Sequence, residues 1–294
     1  MKVTLYWILI GRLLTAWLGA EDGEKRYLVH KDLVYSEAGG GLTLDLFIPE
    51  SMNEPAPCVL VIQGGGFRPQ NGQKFKPFAV YLAEHGFAAA LISYRGSPDH
   101  KYLHTLADTK AAVRFVRKVS DEYSIDPDKV GAMGRSAGGT LAGLLAVTGG
   151  VDAFEGKGGH AEYSSRIQAA VSFAGVFDFI ARFTDERHIA LQPNVKTKIL
   201  GNGKWVGPSF SPDNKDWINA SAISHVDKDD PPMLFIHCKD DATVPWLQSQ
   251  VMYEAMKGAG LDVSTLYYDE GGHGFNDLGE KSMAAMVDYF REKL

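Results

Sequence analysis

The stretch Gly134-Arg135-Ser136-Ala137-Gly138-Gly139 sets one serine among small residues, where the apolar run 129–133 gives way to the apolar stretch 140–147. That order reads as strand, sharp turn, helix. A serine on such a turn sits in strained backbone geometry with its hydroxyl exposed at the carboxyl edge of a sheet. Side chains at the flanking glycines would collide with the neighbouring strand or helix. The following helix adds the positive end of its dipole and a free N–H from Ala137, both suited to a developing oxyanion. The chemistry indicated is acyl transfer to a serine hydroxyl. G-x-S-x-G also arises by chance in a chain with 32 glycines, so the reading depends on partners. A serine in this setting needs an acid and then a histidine on loops after later strands. Asp240, Asp241 and His273 occur downstream in that order.

A second glycine run, Gly64-Gly65-Gly66 with Gln63 before it and Phe67 after it, directly follows the apolar run 58–62. Three glycines let backbone N–H groups approach a bound group closely, as an oxyanion loop requires. A phosphate cradle would need a lysine and a serine or threonine after the glycines, and none follows.

These groups must be positioned by an alternation of strands and helices. The segments 27–35 and 42–48 have strand character and are joined by turn residues, which predicts a hairpin. Runs at 58–62, 87–93, 167–173 and 233–237 are short and apolar throughout, the pattern of strands buried on both faces of a parallel sheet. Helical spacing marks 75–85, 103–123, 244–257 and 280–293, and 263–268 reads as a further strand. Residues 125–129 read as a compact turn into the strand before Ser136. Asp108, within the long helix, is better explained as an ion-pair partner or a cap than as a catalytic group. Counted along the chain, the glycine loop follows the third strand, Ser136 the fifth, Asp240 and Asp241 the seventh, and His273 the eighth.

The 294 residues suit one α/β domain with a modest insertion, and an apolar content of 45% supports a sizeable core. A net charge of −6 with no basic excess argues against nucleic acid and leaves a neutral or weakly charged partner as the expectation. Two cysteines, Cys58 and Cys238, exclude a disulfide framework, and a single bridge between them is not favoured. Residues 1–20 read either as a signal peptide, which would make the protein secreted or periplasmic, or as an N-terminal helix of a cytoplasmic one. Arg12 interrupts their apolar run too early for a stable membrane span. Periodicity fades over about 177–222, which is expected to form a cap insertion above the serine in a domain spanning 21–294. Within it Trp205 and Trp217 either stack on a substrate ring or anchor the cap.

Together, residues 63–67, 134–139, 237–245 and 271–275 resemble the motif set of α/β-hydrolase fold serine esterases. The similarity runs from about Leu42 to the C-terminus. The nearest branches are the hormone-sensitive-lipase-like and the BD-FAE carbohydrate-esterase-like. The resemblance implies an α/β-hydrolase fold: a central, mostly parallel eight-stranded sheet flanked by helices, with a small cap. It implies Ser136 as nucleophile and His273 as general base, and it selects Asp241 over Asp240 as the acid by likeness of 237–245 to the motif H-G-x-x-D-x-x-V-P. Oxyanion donors are expected at Gly65, Gly66 and Ala137, with Gly64 and Phe67 close by. Phe67, Trp205 and Trp246 are the expected substrate contacts. Gln63 stands where the family's glycine loop usually opens with histidine, and Cys238 stands where glycine is customary. The implied activity is hydrolysis of short-chain acyl esters, including acetyl or feruloyl esters of plant carbohydrate, without cofactor or metal. The rival readings are a serine peptidase or amidase on the same fold and a ligand-binding protein that has lost turnover.

Overall fold

A computed structural model describes residues 26–294 apart from 51, 70, 71 and 208. The expected signal peptide or helix at 1–20 lies outside the described residues. The apolar runs become strands because a segment hydrophobic on both sides can satisfy its backbone only by pairing on both edges and covering both faces. Eight strands form one sheet: β1 (Tyr27–Ser36), β2 (Leu42–Pro49), β3 (Ala56–Ile62), β4 (Ala88–Ile92), β5 (Ile125–Arg135), β6 (Ala169–Phe173), β7 (Met233–Cys238) and β8 (Val263–Tyr268). Their order is β1-β2-β4-β3-β5-β6-β7-β8, with β2 antiparallel to both β1 and β4 and every other pair parallel. The sheet and its helices are the α/β-hydrolase architecture.

Alternation along each strand divides the interior into two cores. Leu60, Ile62 and Ala90 face one side, with α2 (Tyr102–Lys118) and α3 (Ala137–Val147) packed over them. Val59, Val61 and Leu91 face the other, under α1 (Lys76–Glu84) and the C-terminal helix 279–293. Each of the leucine, isoleucine and valine side chains contributes about 1.5–3 kcal/mol by leaving water. Asp108 sits in α2, 1% exposed, and takes a forked ion pair from Arg95 while accepting the Arg95 backbone N–H, a structural role. Cys58 and Cys238 are both buried free thiols. Among the described residues no helix is long and apolar enough to cross a membrane.

The chain passes from β3 to β4 on one side, then returns to place β5 on the other side of β3. The connections after β3 and β5 therefore diverge, and a crevice opens at the carboxyl edge between them. Pairing of Ile62 with Gly134 sets the glycine loop beside the Ser136 turn.

The structure corrects one expectation and fills in another. Residues 125–129 belong to β5: Ala56 pairs with Ile125, and Pro127 and Asp128 occupy a register shift before Cys58 meets Val130. An irregularity in the ladder tolerates a proline that regular pairing would exclude. The segment between β6 and β7 carries the short helices α5 (Phe179–Thr184), α6 (Glu186–Ala190), α7 (Val195–Gly203) and α8 (Lys215–Asn219), and α4 (Asp152–Glu155) lies before β6. Asp178, Asp185 and Asn214 cap α5, α6 and α8 through their own side chains. Local caps support helices too short for a 3.6-residue period to emerge from sequence.

Candidate active site

Ser136 joins β5 to α3 with φ 59° and ψ −122°, outside the regions that side-chain-bearing residues favour. A 2.7 Å hydrogen bond from its N–H to the Phe173 carbonyl fixes the turn. The flanking glycines are steric necessities. A Cβ at Gly134 would meet the Gly138 carbonyl, and one at Gly138 would meet the Ile62 carbonyl. Strand, turn and helix thus close to within backbone contact, which no other residue permits.

The loop after β8 brings His273 to this turn. Asp240, at the end of β7, accepts the N–H groups of Gly271 and Gly272 at 3.2 and 2.8 Å and so fixes the start of that loop. Arg135 secures its far end with a hydrogen bond to the Gly274 carbonyl at 3.3 Å. Held from both sides, the imidazole has its Nε2 2.8 Å from Ser136 Oγ and its Nδ1 2.7 Å from Asp241 Oδ2. The arrangement is self-consistent when Nδ1–H donates to the carboxylate and Nε2 accepts the serine O–H.

Asp241 is 2% exposed. Its Oδ1 accepts the N–H groups of Thr243 and Val244 at 2.8 and 2.9 Å, and Oδ2 lies 3.3 Å from Nε2 of the fully buried His237. His237 is aimed by Ser249 at its Nδ1 and by the Val244 carbonyl at its Nε2. Burial pushes the Asp241 carboxyl upward, but hydrogen bonds from His237 and His273 outweigh it and hold the group well below the usual carboxylate range. The two adjacent aspartates therefore serve different ends, Asp241 meeting the imidazole and Asp240 the backbone that carries it. The sequence offered no signal for Arg135 as a loop clamp, and His237 entered only as the first residue of a motif.

On the other side of Ser136, the glycine loop turns through Gly65, Gly66 and Phe67, with φ 112°, 65° and 61°. Gly66, Phe67 and Ala137 line the same cleft as Ser136, about 330 Å³ in volume. Gly65 is exposed beside it, its carbonyl accepting the Arg68 N–H at 3.4 Å. Gln63 points away from the cleft, its Oε1 accepting the Gly72 N–H. Ala137, at the first turn of α3, offers an N–H with no intrahelical acceptor.

Of the expected substrate contacts, Phe67 is at the cleft and the tryptophans are not. Trp205 is fully buried, stacked on Phe67 at 3.7 Å and 6° between planes, with Nε1–H donated to Thr105 Oγ1 at 3.0 Å. It supports Phe67 from behind and has no surface left for a ligand. Trp217 is equally buried, packed against Phe183 and Phe210, so both tryptophans are anchors. Trp246 packs edge-on against Tyr267 and is not among the residues lining the cleft. Further lining of the cleft comes instead from α5 and α7, through Arg182, Lys198 and Asn202. Among the described residues no three histidine, cysteine, aspartate or glutamate side chains stand together as a metal ion would require.

The BD-FAE family model matches residues 44–256. The chain is 30% identical over 229 residues to the probable carboxylic ester hydrolase LipM of Mycobacterium tuberculosis (strain ATCC 25618 / H37Rv), covering 77% of this chain and 51% of that protein. It thus spans about half the length of the curated relatives it matches. A truncated carbohydrate esterase from gut microbiota superposes with a TM-score of 0.80 at 28% identity, over 92% of this chain and 98% of that one. Butyrate-bound Est2, an esterase of the planctomycete Thermogutta terrifontis, superposes with a TM-score of 0.73 at 25% identity, over 91% and 94%.

Proposed function

We propose, from the premise that this chain belongs to the BD-FAE family, that it is a serine carboxylesterase acting on short-chain acyl esters, including esters of carbohydrate. The observation that carries the reading is the unbroken hydrogen-bond chain from Ser136 through His273 to Asp241, assembled from the loops after β5, β8 and β7.

In this mechanism His273 Nε2 takes the Ser136 proton as Oγ attacks the ester carbonyl, and Asp241 stabilises the imidazolium that forms. The N–H groups of Ala137 and of the Gly65–Gly66 turn receive the negative oxygen. Collapse of the tetrahedral intermediate expels the alcohol, which leaves with the proton from His273, and an acyl group remains on Ser136. Water, deprotonated by the same Nε2, then attacks the acyl-enzyme, releasing the acid and restoring the serine. Phe67 lies beside the reacting centre, and residues 177–222 act as the cap of one domain. The carbohydrate preference is supported by likeness to the gut carbohydrate esterase, and the short acyl chain by the butyrate-bound relative.

The test is hydrolysis of p-nitrophenyl acetate, butyrate and octanoate by the protein and by Ser136→Ala and His273→Ala. Turnover that favours the short esters, with losses of about a thousandfold or more in each variant, supports the assignment. Equal rates for the three folded proteins would remove Ser136 as the nucleophile.

A further inference from the structure

The chain as a whole carries a net charge of −6, yet the side chains lining the cleft include Arg68, Arg182, Lys198 and Lys204 and no aspartate or glutamate. Arg182 is the most constrained of the four, at 4% exposure. Its Nε–H donates to Gln192 Oε1, an Nη1–H to Asn202 Oδ1 and an Nη2–H to the Thr243 carbonyl. All three acceptors are neutral amides. Of five N–H groups on a guanidinium, one on each terminal nitrogen remains without an acceptor among the described residues. Lys198 Nζ donates to the carbonyls of Ala242 and Thr243 at 2.7 and 3.0 Å, which leaves its third N–H.

Among the described residues neither Arg182 nor Lys198 has a carboxylate within ion-pair distance. Asp241 is the acid whose field reaches both. Its oxygens are already committed to Thr243, Val244, His237 and His273. Burial, reinforced by the neighbouring Arg182 charge, pushes the Lys198 ammonium down to about 8. Two close cations with only neutral partners are a costly arrangement in a partly buried wall, and a bound anion relieves it. The two remaining guanidinium N–H groups sit on different nitrogens, the arrangement that grips the two oxygens of a carboxylate.

We propose that the substrate of this site carries a carboxylate, gripped by Arg182 and Lys198 at the cap wall of the cleft while its ester group lies at Ser136. The proposal rests on the esterase reading above and narrows it to esters of acidic compounds. The carboxylate belongs either to the acyl part, as in the half-ester of a dicarboxylic acid, or to the alcohol part, as in an acylated uronic acid.

The experiment compares isosteric pairs that differ only in charge. Monoethyl succinate is set against the ethyl ester of succinamic acid, and an acetylated methyl glucuronide against its uronamide. The expected result is a kcat/KM favouring the carboxylate over the amide by about tenfold or more in one pair. The pair that responds identifies which half of the substrate bears the charge. That ratio should fall towards one in Lys198→Met, recover in Lys198→Arg, and shrink as ionic strength rises. Lys198 is half-exposed and outside the core, so its variants keep the fold available for measurement, and urea unfolding of each verifies this. Ratios near one for both pairs in a protein that cleaves the neutral esters and p-nitrophenyl acetate would overturn the carboxylate proposal alone. An unchanged ratio in Lys198→Met would also overturn it. Loss of turnover on every ester, p-nitrophenyl acetate included, would overturn the esterase reading and this proposal with it.

Discussion

The loops at the carboxyl ends of β3, β5, β7 and β8 and the helices between β6 and β7 meet at one cleft, but different kinds of bond fix them. In the strand-end loops the constraints are short and largely backbone: a positive φ at Ser136, carbonyls pressed against Gly134 and Gly138, and the paired N–H groups that Asp240 and Asp241 each collect. The segment between β6 and β7 is anchored by the buried Trp205 and Trp217 and by the Tyr102 N–H on the Trp205 carbonyl, and at the cleft by long side chains that cross to it or from it. Gln248 accepts the N–H groups of Phe177 and Asp178, while Arg182 and Lys198 reach back to Thr243. Geometry that must be accurate to fractions of an ångström for proton transfer is built from stiff parts. The helices between β6 and β7 are held by side chains, two of which end on the same 242–243 segment that the acid loop uses.

The largest expected effect lies in the strand-end loops, and it also tests the division of labour between the two aspartates. Asp241→Asn should lower kcat by roughly 10⁴, because an amide in that position can present its NH₂ to Nδ1 and favour the unproductive tautomer. Asp240→Asn keeps an acceptor for the loop backbone, and less than about a tenfold loss is expected. Steady-state kinetics with p-nitrophenyl acetate on both variants decides between them, and a larger loss in Asp240→Asn would reverse the assignment.

A cap anchor should cost stability first. Trp205→Leu removes the stack on Phe67 and the bond to Thr105, for which about 3 kcal/mol of lost stability is expected from a large buried side chain made small. Urea unfolding measures it. Because Phe67 loses its support, the ranking of acyl lengths should change more than the rate on acetate; an unaltered ranking would show that the cap does not shape the cleft.

The smallest effect is a control outside both regions. Asp230 lies before β7, at the sheet edge opposite the active site, and burial raises its carboxyl to about 6. Its raised value favours the folded state at pH below about 4, and that contribution is lost as pH rises through 6. Asp230→Asn should therefore match the parent near pH 4 and exceed it by less than about 1 kcal/mol at pH 7, since the group is partly solvated. Thermal melts at the two pH values read the difference, and kcat should not move.

The same contrast explains what could be read from sequence. The order of strands and the identity of the turn around Ser136 were legible because they rest on local facts: uninterrupted apolar runs, glycines where backbones touch, a serine between them. Choosing Asp241 over Asp240 required likeness to a motif, since both sit at the end of β7 and only the fold shows which one faces the imidazole. Trp205 was misread as a substrate contact because an aromatic residue in an irregular segment suits a binding wall and a buried anchor equally. Its partner, Phe67, lies 138 residues away in the chain. The basic residues lining the cleft were not legible in the net charge for a related reason. A net charge averages over the surface, whereas Arg182, Lys198 and Lys204 converge only after α5 and α7 fold back over the strand ends.

One carbonyl joins the two regions. Thr243, two residues beyond the acid, accepts hydrogen bonds from both Arg182 on α5 and Lys198 on α7. Its N–H is meanwhile held by Asp241. The peptide chain at this point is a mechanical linkage. Displacing either helix would strain a hydrogen bond at the residue whose N–H Asp241 accepts. For protein engineering, the cap is therefore not an interchangeable cassette bounded by β6 and β7. A cap transplanted from a relative would have to bring its own version of the 240–245 loop, or the new entrance would open onto a loosened triad.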